Sequence, residues 1–285
     1  MKLTDIFRKV DTLSADEARR WIAEKKEGEV TLIDVREPEE YKEGHLPGAL
    51  LMPLADLLDR MNELDPSNPV ITYCRMGNRS KSAAALMKGQ GFSRAYSIEG
   101  GITAWNGLVA TGEYESGMFL LEERKTTEEL ISLAWALEDG TRLFYEKTQE
   151  LLQDRDAKPV FESLITDEVK HKAMILEAYR KIKGIHITDE FLEKESLTGF
   201  MEGGVSIEEI LMWLKAPDRT LQDVLELSMQ VETNSLDLYI KMLHEIEDEN
   251  AQKVFGVLIA EEKAHLLRLG KLLDNKLKMK NEQTI

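Results

Sequence analysis

Glu168-Val169-Lys170-His171 recurs 94 residues later as Glu262-Lys263-Ala264-His265. In each copy the glutamate and histidine are three residues apart, so a helix would stack them on one face. Leu164, Ile165 and Ile175 share that face with the first pair, and Leu258, Ile259 and Leu269 with the second. Both pairs are expected to point into a core. The repeat runs without a gap between residues 126–176 and 220–270, with 13 of 51 positions identical. Packing alone would preserve Leu133/Leu227, Phe161/Phe255 or Leu164/Leu258. It would not preserve Glu138/Glu232, which lie on largely apolar faces 30 residues before each Glu-x-x-His. A buried, unpaired carboxylate is costly. Four in one core repel unless cations stand among them, and two divalent ions balance four carboxylates. Oxygen and imidazole donors in this ratio suit iron or manganese, with zinc as an alternative.

Around this repeat the chain is helical. Amphipathic segments near 127–153, 157–183, 219–247 and 250–279 have short joins near Asp156 and Glu249, as in antiparallel helix hairpins. Residues 184–217 form a longer connection with Gly199, Gly203, Gly204 and a short helix near 207–214. Two helix pairs with a long connection predict a four-helix bundle with a crossover. Residues 1–111 read differently. Apolar runs at 30–35, 70–73 and 94–98 predict buried strands, and 14–25 (capped by Ser14), 54–63 and 80–88 predict helices. That alternation implies an α/β unit with a largely parallel sheet. The expected organisation is an α/β domain over 1–111, a linker over 112–126 and an all-α bundle over 127–285. The length of 285 residues suits two domains.

The formal net charge is −16. Residues 1–111 hold 15 basic and 17 acidic side chains, and the remainder 22 and 36, so the excess lies in the helical half. This balance argues against nucleic acid or an anionic membrane as a partner. No apolar run is long enough to span a bilayer, and no secretory leader opens the sequence. The single cysteine excludes an internal disulfide and a four-cysteine metal site. A cytoplasmic location is expected.

That cysteine, Cys74, ends the apolar run Val70-Ile71-Thr72-Tyr73 and opens Arg75-Met76-Gly77-Asn78-Arg79 before a helix at Ser80. A strand-to-helix turn of this kind gathers backbone N–H groups and a helix N-terminus around the sulfur. With two arginines added, the thiolate is favoured and the thiol pKa falls. The expected result is a nucleophile in an anion-binding cup. Cys74-Arg75-Met76-Gly77-Asn78-Arg79-Ser80 resembles the active loop of single-domain rhodaneses. Leu32-Ile33-Asp34-Val35-Arg36, Gly44-His45-Leu46-Pro47-Gly48-Ala49 and Gly100-Gly101-Ile102-Thr103-Ala104-Trp105 resemble other segments of that family. The resemblance implies that Cys74 takes sulfane sulfur from a donor such as thiosulfate or a persulfide. It implies that the amides of residues 75–79 cradle the product. Arg75 and Arg79 are placed to draw the anionic donor, with bracing of the loop as the alternative role of Arg79. Asp34 and His45 are read as structural. Phosphatases and arsenate reductases on the same fold carry a loop one residue longer, so Cys74-x4-Arg79 favours sulfur transfer.

The helical half resembles ferritin-like di-iron carboxylate proteins, rubrerythrin in particular. The resemblance implies a di-iron centre held by Glu138, Glu168, His171, Glu232, Glu262 and His265, with Glu168 and Glu262 as bridges. Asp167 and Glu261 are expected beside the histidines, and Tyr145 and Tyr239 as core residues with satisfied hydroxyls. Rubrerythrins carry a further glutamate three residues after the third-helix ligand. Here that position is Ser235, and its repeat partner is Thr141. The rubredoxin part of rubrerythrins is also missing, so an external electron donor is expected. The leading expectation is a bifunctional sulfurtransferase and di-iron redox protein reacting with oxygen or peroxide, assembled as a homodimer. The alternative is a non-catalytic iron-binding or sensing bundle attached to a sulfur carrier.

Overall fold

The computed structural model describes residues 10–26, 28–121, 126–152, 154–183, 192, 199–216 and 219–282. The chain divides after Tyr114 into two compact units. In the first, β1 (Asp11–Leu13), β2 (Thr31–Asp34), β3 (Leu50–Leu51), β4 (Val70–Tyr73) and β5 (Ala95–Ile98) form one sheet in the order β1-β5-β4-β2-β3. Every pairing is parallel. All four residues of β4 are buried, which is why it reads as an unbroken apolar run at the centre of the sheet. The helices are α1 (Ala15–Glu24), α2 (Pro38–Glu43), α3 (Leu57–Arg60) and α4 (Asn78–Gly89). Ser14 and Glu17 form a reciprocal capping box at the start of α1. The helix predicted over 54–63 is shorter. The Asp56 N–H bonds to the Pro53 carbonyl at 2.9 Å, so a turn occupies its start, and residues 61–63 tighten into a 3-10 turn.

The second unit contains α5 (Thr127–Leu151), α6 (Ala157–Lys183), α7 (Ile207–Leu214), α8 (Leu221–Glu245) and α9 (Glu249–Glu282). Here α5 packs along α6, and α8 along α9, as the short joins predict. Two polar identities of the repeat are helix caps. The Thr126 and Thr220 side chains accept from the N–H of Glu129 and Asp223. Asp154 accepts from the N–H of Ala157 at 3.0 Å, and Asp248 from that of Ala251 at 2.8 Å. Each long helix thus starts on a side chain that satisfies an otherwise orphaned donor. Phe144, Tyr145, Phe161, Leu164, Leu225 and Leu269 lie in the bundle core.

Within the described part of the crossover, β6 (Phe200–Met201) pairs antiparallel with β7 (Val205–Ser206) ahead of α7. The sequence reading did not foresee this ribbon. His186 lies outside the described residues. No helix among the described residues is long and apolar enough to cross a membrane.

Candidate sulfur-transfer loop and metal centre

Cys74 follows β4 at the carboxyl edge of the central strand, where open parallel sheets place ligands. The Gly77 N–H donates to Cys74 Sγ at 3.1 Å, and the Ser80 hydroxyl approaches it at 3.7 Å. Burial pushes the thiol up, but the Ser80 N–H and hydroxyl and the N–H groups of Met76 and Gly77 outweigh it. The thiol therefore lies below its ordinary value. Gly77 sits at φ 93°, a left-handed conformation that turns the loop into α4. The outer side of the loop is gripped by the next segment. A Cβ on Gly101 would lie 2.1 Å from the Cys74 carbonyl oxygen. The Ile102 and Thr103 N–H groups donate to the carbonyls of Cys74 and Arg75 at 2.8 and 3.1 Å. With both carbonyls held outward, the amides are left to face the sulfur.

Arg79 forms a bidentate pair with Glu40, both bonds at 2.7 Å, and this holds the Glu40 carboxyl below its ordinary value. Its guanidinium braces α2 against the loop. Arg75 is exposed, as are Met76 and Asn78. Asp34 is buried and bonded to Arg36, which also donates to the Gly44 carbonyl at 2.6 Å. His45 stacks on Tyr41 with 3.6 Å between ring centroids. Both have the surroundings of scaffold residues.

In the second unit, Glu138 and Glu232 lie one turn or more inside α5 and α8, and the Glu-x-x-His pairs lie on α6 and α9. All six are buried. His171 Nδ1 is 2.9 Å from Glu138 Oε2 and 3.4 Å from Glu168 Oε2. His265 Nδ1 is 3.3 Å from Glu232 Oε1 and 3.5 Å from Glu168 Oε1. The two imidazoles stack with centroids 5.4 Å apart. Both oxygens of Glu168 and of Glu262 lack hydrogen-bond partners although fully enclosed. Buried carboxylate oxygens left without donors call for a cation, a proton or an ordered water, and a cation can serve all four of these at once. Burial first, then the Glu168 charge, pushes Glu138 up to about 7. Burial and the charges of Glu202, Glu232 and Glu138 push Glu262 well up. Hard oxygen donors with imidazole nitrogens fit iron or manganese.

The tyrosines cross between repeats. Tyr145 donates to Glu232, and the Tyr239 hydroxyl stands 3.1 Å from Glu138 Oε1. Glu261 Oε2 lies 3.7 Å from His171 Nε2. Asp167 behaves differently from its expected place beside a histidine. Its oxygens bond Lys170 and Arg268, so its charge is spent on a partly exposed ion-pair network.

The sequence reading missed Glu202. It follows β6 in the crossover, is fully buried, and joins Glu138 and Glu262 in a group whose donor atoms lie within 4.8 Å of one another. Tyr239 lies 2.6 Å from its Oε1. Burial and the Glu138 charge push it up to about 8. It has no repeat partner, so comparing the two halves cannot find it. The available signal was an acid between Phe200-Met201 and Gly203-Gly204, an apolar pair followed by a turn.

The first unit has a rhodanese-type parallel sheet and the second a helical bundle with buried carboxylates and histidines, as in rubrerythrin-like domains. The rhodanese-like domain model matches residues 14–108 and the rubrerythrin model residues 129–273. With about half its length matched by that second model, the chain belongs to the rubrerythrin family, and it carries a rhodanese-like domain in the same polypeptide. An uncharacterized Bacillus subtilis protein, YqhL, is 41% identical over 78 residues, which are 27% of this chain and 62% of that protein. This match spans less than two thirds of the relative's length. Among solved structures, a rhodanese-like domain protein from Staphylococcus aureus is 27% identical with a TM-score of 0.34, covering 36% of this chain and all of that one (100%). A rhodanese-related protein from Thermoplasma volcanium is 25% identical with a TM-score of 0.32, covering 35% and 97%.

Proposed function

We propose that Cys74 carries sulfane sulfur as a persulfide, and that the bundle holds two iron ions and acts on oxygen or peroxide. The first part rests on the donors around Cys74 Sγ. The thiolate attacks the outer sulfur of thiosulfate, the sulfur–sulfur bond breaks, and sulfite leaves with the electron pair. An acceptor thiolate then attacks the outer persulfide sulfur and returns Cys74 as thiolate. The Met76 and Gly77 amides stabilise negative charge on either sulfur, and exposed Arg75 draws the dianionic donor.

The second part rests on the orphaned oxygens of Glu168 and Glu262. These two would hold the ions together with Glu138, His171, Glu232 and His265. Iron bound there would supply the ferrous–ferric couple. Tyr145 holds Glu232, Tyr239 and His171 hold Glu138, and the surrounding core excludes water. The electrons come from an external donor, and a homodimer is the proposed assembly.

Two assays test this reading. Purified protein should transfer sulfur from thiosulfate to cyanide, and Cys74→Ser should abolish that transfer. Iron-loaded protein should consume peroxide through repeated turnovers when a reductant is present, and Glu168→Ala should stop it. A single stoichiometric oxidation of bound iron, with no further turnover, would remove the redox-enzyme half of the proposal.

A further inference from the structure

The crossover does more than connect two helix pairs. It inserts a fifth carboxylate into the metal centre. Glu202 and Gly203 pack against both α5 and α8, near Thr141 and Ser235, each three residues past a helix glutamate. Its N–H donates to Thr141 Oγ1 at 3.3 Å. Two close approaches hold it there. A Cβ on Gly140 would lie 2.5 Å from the Phe200 carbonyl oxygen and 2.7 Å from the Met201 Cα. A Cβ on Gly203, at φ 70°, would lie 3.0 Å from the Asn234 Cβ. Small residues at 140, 141, 203 and 235 clear the gap through which the side chain enters.

Inside, Glu202 Oε1 meets the Tyr239 hydroxyl, while Oε2 has no hydrogen-bond partner and no contact with solvent. The Tyr239 hydroxyl also faces Glu138, and one phenol proton cannot serve both carboxylates. If Glu202 only tethered the crossover to Tyr239, a glutamine would do so without a carboxylate beside Glu138 and Glu262. An ionised acid buried against two others needs a compensating cation, and without one it takes up a proton.

We propose that Glu202 is a seventh protein ligand, bound to the metal on the Glu138 side, so that the two metal positions are unequal. This rests on the metal-binding reading above. An additional anionic donor favours the more highly charged metal, so Glu202 weights the site toward the ferric state. Its removal should raise the reduction potential of one iron and leave the other close to its original value.

The test uses the full chain loaded anaerobically with two equivalents of ferrous ion and then oxidised. Wild type and Glu202→Gln are compared by metal content after dialysis against a chelator, by Mössbauer spectroscopy and by potentiometric titration. The expected variant keeps its helical circular dichroism, loses one iron at least tenfold faster to the chelator, and shows an altered doublet for one iron only. Unchanged retention, spectrum and potential in Glu202→Gln overturn the inference while leaving the di-metal reading intact. A wild type that holds no metal overturns both. Should the variant fail to fold, a crystal structure of the manganese-loaded wild type decides the point. A Glu202 oxygen at bonding distance from the metal supports the inference, and a Glu202 bonded to Tyr239 alone overturns it.

Discussion

At the scale of single residues, Cys74 shows how an enclosed sulfur can still favour the thiolate. It is only 2% exposed, and burial alone would favour the neutral thiol. The donors from Met76, Gly77 and Ser80 reverse that preference. Because folding lowers this pKa, the thiolate's contribution to stability is present above the ordinary thiol pKa. It is lost as pH falls through the lowered value. Alkylation of Cys74 by iodoacetamide should therefore reach half its maximal rate below the free-thiol pKa of about 8.5. Ser80→Ala should move that midpoint upward, since it removes the hydroxyl that approaches Sγ. The two arginines should separate in kinetics. Exposed Arg75 affects only attraction of the donor, so Arg75→Ala should raise the thiosulfate KM by a few-fold, equivalent to about 0.2–1 kcal/mol, and the effect should shrink in high salt. Arg79→Ala should lower kcat and the unfolding midpoint together, because it also releases Glu40 and the α2 end of the loop.

At the scale of elements, the bundle depends on close approach as well as apolar burial. Gly140→Ala would force the Phe200–Met201 strand away from α5. Chemical denaturation should show a loss of about 1–3 kcal/mol, typical of overpacking. Thr126→Ala should cost about 1 kcal/mol by removing one cap. Period and spacing made the long helices and six of the buried donors legible in the sequence, since the donors repeat at helical intervals among apolar residues. Strand β4 was legible because burial on both faces leaves an unbroken apolar run. Edge strands β1 and β3 were not, because three and two residues are too few to show a pattern. Glu202 was invisible for a related reason. It lies on no long helix, and its position depends on contacts with α5 and α8 that local sequence does not encode.

At the scale of the whole molecule, acidic charge and metal demand coincide. The formal charge of −16 counts Glu138, Glu168, Glu202, Glu232 and Glu262 as though water surrounded them. None of the five is exposed. Metal bound only by the folded state adds RT ln(1 + [L]/Kd) to stability, about 4 kcal/mol at a thousandfold excess over Kd. Chelation should therefore lower the melting transition of the second unit in calorimetry and restore it on addition of ferrous or manganous ion. The transition of the first unit, with no such cluster among its described residues, should keep its midpoint.

The crossed tyrosine bonds make the two helix pairs interdependent. Tyr145 belongs to one helix pair and serves the glutamate of the other, and Tyr239 reciprocates. A single helix pair would leave each phenol and each glutamate without its mate and would hold half a donor set. Pulling the pairs apart therefore strips both glutamates of their phenol donors in one step, and neither half can loosen alone.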